Sequence, residues 1–231
     1  MKVGVVIPAA GKGRRMGTAV SKQFLHLAGV PVIIRTLRVF DTHPAVNRIV
    51  ISVSGEEREG MKRLLDENGF SSSRIQVVTG GKERRQSVYN GLERLDEEWV
   101  MIHDAVRPFI AHDRIDALLE AVPMTGAAIL AVPVKDTVKQ VTEAGIVEGT
   151  PDRSSLWAVQ TPQAFRRSLL MEAHQKGAEE ERPATDDAML VESLGIDVRV
   201  VQGDHANMKL TTPEDRVLAE AIWKMRSTDD D

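Results

Sequence analysis

The stretch Pro8-Ala9-Ala10-Gly11-Lys12-Gly13-Arg14-Arg15-Met16-Gly17 joins small residues to cations, and Lys22 follows shortly after. Glycine at 11, 13 and 17 lets backbone N–H groups approach an anion with no side chain in the way. Lys12, Arg14, Arg15 and Lys22 concentrate positive charge in a protein whose formal net charge is −4. Such a loop suits phosphates, and a nucleoside triphosphate in particular. Two familiar phosphate loops do not fit it. The P-loop spacing fails because Gly17 is followed by Thr18-Ala19, and the dinucleotide pattern G-x-G-x-x-G is met at Gly11 and Gly13 but has Met16 in place of its third glycine. An NAD site also wants an acid at the end of the second strand, where Ser52-Val53-Ser54 stand. The plainer alternative is a basic surface turn with no ligand.

A loop of this kind needs a rigid sheet behind it. Short β-branched runs at Val3–Ile7, Arg48–Val53, Ile75–Val78, Val100–His103, Ala127–Val132, Trp157–Gln160 and Val198–Val201 read as strands. Most are apolar at successive positions, which fits strands covered on both faces. Between them, helices are expected at Val32–Asp41, Glu56–Asn68, Arg84–Leu95, Asp113–Ala121, Phe165–Gln175, Asp186–Leu194 and Glu214–Lys224. Pro31 and Pro213 suit first helical turns, Thr212 suits a cap, and Gly69 and Gly195 fall where helices should stop. The alternation predicts an α/β fold, a Rossmann-like, mostly parallel sheet with helices on both faces. The phosphate loop then lies outside the carboxyl end of the first strand, where open α/β sheets bind ligands.

With 231 residues, 42% hydrophobic and 28% charged, a single domain over 1–231 is expected. The absence of cysteine excludes a disulfide framework, a thiolate nucleophile and a Cys-ligated zinc site. The apolar N-terminal run is too short for a signal peptide, and no run approaches the ~18–20 residues of a membrane span, so the expected location is the cytoplasm. The segment 134–156 breaks the rhythm. Thr137–Val141 and Ile146–Glu148 flank a turn at Glu143-Ala144-Gly145, which reads as a projecting β-hairpin. A lone hairpin is marginal in water, so it either packs on a second subunit as a dimerisation arm or is a mobile surface loop. Residues 227–231 are expected to be a disordered tail.

Further motifs follow in order. The loop with Ser21-Lys22-Gln23-Phe24 resembles the opening of the nucleotide-sugar pyrophosphorylase-like nucleotidyltransferase superfamily. It is followed by Gly80-Gly81-Lys82-Glu83-Arg84-Arg85-Gln86-Ser87-Val88 and by Val100 to Pro108, with His103-Asp104-Ala105-Val106-Arg107-Pro108 at its end. Pro133 to Lys139, Asp152-Arg153-Ser154-Ser155-Leu156-Trp157, Gln160-Thr161-Pro162-Gln163, Thr185-Asp186-Asp187-Ala188 and Asn207 to Asp215 come next. Together they resemble, over nearly the whole chain, the 2-C-methyl-D-erythritol 4-phosphate cytidylyltransferases. That family joins CTP to methylerythritol phosphate (MEP) with Mg²⁺, releasing pyrophosphate. One departure is visible: Lys82 stands where the family pattern has Asp, near the cytidine.

The resemblance implies that Arg15 and Lys22 stabilise the transition state at the CTP phosphates and that Arg153 and Lys209 hold the MEP phosphate. Pro8, Ala9, Ala10, Gly11, Gly13, Gly81, Lys82, Ser87, Asp104 and Ala105 complete the CTP side. Asp104, Arg107, Thr137 and Thr161 complete the acceptor side, and Asp104 is the expected metal contact. Arg153 and Thr137 are implied to reach the active site of the other subunit of a homodimer. Several residues keep a second reading. Asp104 is either a ligand or a turn cap, Arg107 either holds MEP or braces Asp104, Ser87 either meets cytidine or helps cap its helix, and Thr161 is either an acceptor contact or a buried structural threonine. His103 reads as structural, and Asp186-Asp187 as a helix start. No Ser-His-Asp or His-carboxylate pair is persuasive, and none is needed, because a phosphate monoester with a second pKa of about 6 arrives as a dianion. A sibling cytidylyltransferase for another polyol phosphate such as ribitol 5-phosphate, and a non-catalytic nucleotide-binding protein on the same fold, are the alternatives. An NAD oxidoreductase is more distant.

Overall fold

The structure is a computed structural model that describes residues 1–11 and 22–228, without the side chains of residues 22, 227 and 228. The chain runs β1 (Val3–Pro8), β2 (His26–Leu27), β3 (Val30–Pro31), α1 (Val32–Thr42), β4 (Val46–Val53), α2 (Arg58–Glu67), β5 (Ile75–Thr79), α3 (Arg84–Leu92), β6 (Trp99–Ile102), α4 (His112–Ala121) and β7 (Ala127–Pro133). It continues through β8 (Gln140–Val141), β9 (Val147–Gly149), β10 (Trp157–Arg166), α5 (Arg167–Glu179), α6 (Asp187–Glu192), β11 (Arg199–Gln202) and α7 (Pro213–Thr228).

Among the described residues the main sheet has seven strands, in the order β11-β7-β10-β6-β1-β4-β5. Strand β1 lies parallel to β4 and β6, β4 to β5, and β11 to β7. Strand β10 runs antiparallel to both its neighbours. The alternation of side chains along β1 and β4 divides the core. Val3, Val5, Ile7, Ile49 and Ile51 face a layer with α1, α2 and α4, while Val6 and Val50 face α3, α5 and α6. Burial on both faces is why these strands are continuously apolar. From β5 the chain returns to the other side of β1 to form β6, so the order reverses between β1 and β6. The carboxyl ends of those two strands therefore open a crevice.

The helix stops are as their chemistry requires. Gly69, with φ +75°, donates to Asp66 O and Phe70 N–H donates to Leu65 O, both at 3.1 Å, which is the paired closure of a left-handed C-terminal cap. At α7, Thr212 Oγ1 accepts from Asp215 N–H (3.3 Å), and Asp215 Oδ2 accepts from Thr212 N–H (2.8 Å), a reciprocal capping box. Helix α7 extends through Thr228, two residues into the segment expected as tail, and residues 229–231 lie outside the described residues.

The boundaries on either side of Pro162 differ from expectation. The strand candidate at Trp157–Gln160 continues to Arg166, and the helix expected from Phe165 begins at Arg167. Proline cannot donate to a ladder and is tolerated at bulges; Pro162 sits where the register with β7 shifts between Val159 and Gln163, and pairing resumes beyond it. Strands β8 and β9 pair antiparallel about Gly145, whose φ is +80°.

Helix α3 lies unusually close to β1. A Cβ on Gly91 would stand 2.5 Å from Val6 Cγ1, a buried β-branched side chain with no room to turn. Overpacking of about 1–3 kcal/mol should outweigh the ~1 kcal/mol that alanine gains in helix propensity. Gly91→Ala is thus expected to lower unfolding free energy in urea by about 1 kcal/mol; an unchanged or raised midpoint would contradict this packing.

Candidate active site

Two adjoining clefts open at the β1/β6 crevice. The first is lined by Pro8, Ala9, Ala10 and Gly11 at and after the end of β1, by Gly81, Lys82, Arg84 and Ser87 around the start of α3, and by Asp104, Ala105 and Lys209. The second is lined by Arg107, Thr161, Gln163 and Thr185 among others, and shares Arg84, Asp104 and Lys209 with the first. Those three charged residues form the boundary between the clefts.

Asp104 follows β6 and its side chain is 11% exposed. Its Oδ2 lies 2.9 Å from Lys209 Nζ and 3.5 Å from Arg107 Nε, and its Oδ1 lies 3.7 Å from Arg84 Nε. Burial alone would raise its pKa, but Lys209, Arg84 and Arg107 outweigh burial and hold the carboxyl far below the usual range. It is a fixed anion among three cations.

The backbone beneath it is equally constrained. Asp104 N–H donates to Thr161 Oγ1 (3.0 Å), and Thr161 Oγ1 lies 3.2 Å from His103 Nδ1. His103 Nε2 meets Arg107 O at 3.0 Å. Burial lowers the His103 pKa to about 4, so the ring is neutral at pH 7. The carbonyl can only accept, so Nε2 carries the proton and Nδ1 accepts from the Thr161 hydroxyl. His103 is structural, as its sequence context implied. Arg107 Nη1 donates to Asn207 O (2.7 Å), and Leu210 N–H donates to Val106 O (3.0 Å). These ties flank Lys209 and deliver it to Asp104. Arg107 thus braces both Asp104 and the Lys209 segment while lining the second cleft.

In the first cleft, small residues keep the wall backbone-like. A Cβ on Gly80 would stand 2.7 Å from Ala10 Cβ, and one on Gly81 would stand 2.1 Å from Gln86 Cβ. Ser87 Oγ accepts from Gly81 N–H (3.0 Å) and donates to Glu83 O (3.1 Å), so its hydroxyl ties the glycine loop to α3. The exposed Lys82 uses its backbone N–H on Gln86 Oε1 (2.9 Å). Gln23 Nε2 donates to Ala9 O (2.7 Å) and lines the same cleft.

Not every candidate meets here. Gly13, Arg15 and the side chain of Lys22 lie outside the described residues. Arg153 and Thr137 are exposed and line neither cleft of their own chain; Arg153 Nη1 donates to Lys135 O (2.6 Å). Sequence reasoning gave no role to Arg84, which lines both clefts, nor to Thr185 and Gln163. The signal for Arg84 was present: Ser87, Val88 and Gly91 are the buried positions three, four and seven residues on, so Arg84 begins the inward stripe of α3.

The sequence and the fold have counterparts among known proteins. A family model described as "IspD: 2-C-methyl-D-erythritol 4-phosphate cytidylyltransferase" matches residues 3–225. Relatives of that name from Bacillus velezensis and Bacillus pumilus are 50% identical over 229 residues (98% of each chain) and 51% identical over 220 residues (94% of this chain, 95% of the relative). The crystal structure of 4-diphosphocytidyl-2C-methyl-D-erythritol synthase from Anaerococcus prevotii matches with a TM-score of 0.85 at 31% identity, covering 96% of each chain. With its fold, its motif order and nearly its full length accounted for in this way, the chain belongs to the 2-C-methyl-D-erythritol 4-phosphate cytidylyltransferase family.

Proposed function

We propose that this chain transfers a cytidylyl group from CTP to 2-C-methyl-D-erythritol 4-phosphate, with CTP in the first cleft and the acceptor in the second. The observation that carries the reading is the shared boundary of Asp104, Arg84 and Lys209 between the clefts. A phosphate oxygen of MEP attacks the CTP α-phosphorus in line; the new P–O bond forms as the bond to pyrophosphate breaks. The nucleophile is already a dianion, so the protein's task is to bring two polyanions together and to stabilise charge on the α-phosphoryl oxygens. Lys209 and Arg107 serve the acceptor side, and Arg15 and Lys22 serve the triphosphate. Asp104 fixes the direction of the cations and accepts from substrate hydroxyls.

A divalent cation fits this site in a limited way. Among the described residues no three His, Cys, Asp or Glu side chains cluster to hold one, so triphosphate oxygens would supply most of its ligands. Asp104, an ionised hard-oxygen donor, would supply the protein's share. When bound, Mg²⁺ would neutralise triphosphate charge. Arg153 and Thr137, exposed and away from their own clefts, are assigned to the partner's active site in a homodimer. The hairpin carries exposed Val141, Ile146 and Val147, and Trp157 and Val159 nearby are also exposed, an apolar surface that a second subunit would cover.

The test is pyrophosphate release with CTP, ATP or GTP against MEP or ribitol 5-phosphate. Turnover should be confined to CTP with MEP. A preference for ribitol 5-phosphate would move the acceptor assignment to a sibling activity. Tight CTP binding without turnover on either acceptor would overturn catalysis altogether.

A further inference from the structure

Beneath the boundary residues lies a buried carboxylate, Asp187, that lines neither cleft and that the mechanism above does not use. Asp187, the first residue of α6, and His174, in α5, each have side chains 1% exposed, and His174 Nε2 lies 3.1 Å from Asp187 Oδ1. The other oxygen, Asp187 Oδ2, lies 2.7 Å from Arg84 Nη1. Arg84 in turn approaches Asp104 Oδ1 only to 3.7 Å. The guanidinium is therefore shared between two carboxylates, with the short contact going to the remote one.

Asp187 is itself held rigidly. Its neighbour Asp186 caps α6 by accepting from Met189 N–H (3.0 Å) through Oδ1, and accepts from Gln163 Nε2 (2.7 Å) through Oδ2. Gln163 Oε1 accepts from Ala188 N–H at 3.2 Å. The start of α6 is thereby pinned to β10, the strand whose Thr161 holds the Asp104 backbone. Burying a carboxylate is unfavourable unless it is well paired, and a buried ion pair is a poor means of gaining stability compared with apolar packing. Three helices nevertheless converge on this one.

We propose that Asp187, oriented by His174, restrains Arg84 and so keeps Asp104 Oδ1 open to substrate. The inference rests on the reading of Asp104 as a substrate-facing residue. Without Asp187, the nearest carboxylate for Arg84 is Asp104, which already bears Lys209 and Arg107 on Oδ2. Arg84 would close on Oδ1 as well and occupy all of the carboxylate. Arg84, Asp187 and His174 are thus positioning residues acting through Asp104.

The experiment is a double-mutant cycle with Arg84→Met, Asp187→Asn and the pair, read as acceptor KM and kcat. Misplacement of a substrate-contacting group by about 1 Å costs up to ~10²-fold, so Asp187→Asn should lower kcat/KM for the acceptor by about ten- to a hundredfold, with acceptor KM raised. The double variant should be no worse than Arg84→Met alone. A merely structural role would instead lower the active fraction and leave KM unchanged. His174→Gln retains an N–H donor for Asp187 and should keep acceptor KM within about twofold, whereas His174→Phe should raise it in the same direction as Asp187→Asn; this pair answers the question even if Asp187→Asn fails to fold. Multiplicative losses in the cycle, or an unchanged acceptor KM in the Asp187 and His174→Phe variants, would overturn the proposal. Asp104→Asn, run alongside, separates the two ideas. If it retains turnover, the reading of the site falls and the proposal with it. If it loses turnover while the other variants leave acceptor KM alone, only the proposal falls.

Discussion

Lys209→Ala is expected to lower kcat/KM for the acceptor phosphate by about 10²–10³-fold, the loss seen when one preorganised donor to a developing charge is removed. Lys209 is the one boundary residue whose head combines a short contact to Asp104 (2.9 Å) with 36% side-chain exposure. It is fixed enough to be preorganised and open enough to meet a ligand in either cleft. Flanking ties from Asn207 O to Arg107 and from Leu210 N–H to Val106 O fix its backbone, so the variant should lose a charge without losing the loop. Lys209→Arg should recover only part of the loss, because a planar fork does not replace a compact point charge on a surface shaped for one. Steady-state pyrophosphate release at varied MEP and saturating CTP measures the effect. Turnover within about threefold of the parent would remove Lys209 from the mechanism, since even one modest charge-assisted hydrogen bond is worth more than that.

Much of this site can be read directly from the sequence because its residues sit beside strands. Pro8 ends β1, Ala9 to Gly11 follow it, Asp104-Ala105 follow β6, and a continuous apolar run announces each strand. Lys209 and Arg107 were recognisable as cations in ordered motifs, but not their geometry: whether Arg107 held a ligand or braced Asp104 depends on Asn207 O, a backbone atom a hundred positions away. Ser87 illustrates the same limit, since its hydroxyl joins Gly81 N–H to Glu83 O at the start of α3, a link between loop and helix that no local pattern announces. Arg84 and Asp187 are a tertiary pair joined across two helices, and nothing local marks them as partners. The end of β10 was misplaced because Pro162 reads as a stop in isolation, whereas a bulge in a strand paired on both sides absorbs it.

Lys22→Ala and Arg15→Ala are each expected to reduce turnover by at least about 10²-fold, by the same reasoning about preorganised donors. Their side chains lie outside the described residues, but the chain on either side of them is informative. Gly11 and Gln23 both line the first cleft, and Gln23 Nε2 donates to Ala9 O at 2.7 Å. The described residues on either side of the stretch that holds Lys12, Arg14, Arg15 and Lys22 therefore both line the first cleft. Arg153 belongs to the opposite situation: exposed, hydrogen-bonded to Lys135 O, and apart from both clefts of its own chain. If its partner's site is where it acts, Lys22→Ala and Arg153→Ala damage different halves of a composite site. Mixing the two inactive variants under subunit exchange then places both lesions in one site of each heterodimer and none in the other. In a two-fold dimer at equal mixing, about one quarter of all sites become intact, and pyrophosphate release should rise toward that fraction of the parent rate. Activity that stays at the mean of the two variants, with heterodimers confirmed by native mass spectrometry, would mean that each chain completes its own site and that Arg153 serves the hairpin instead.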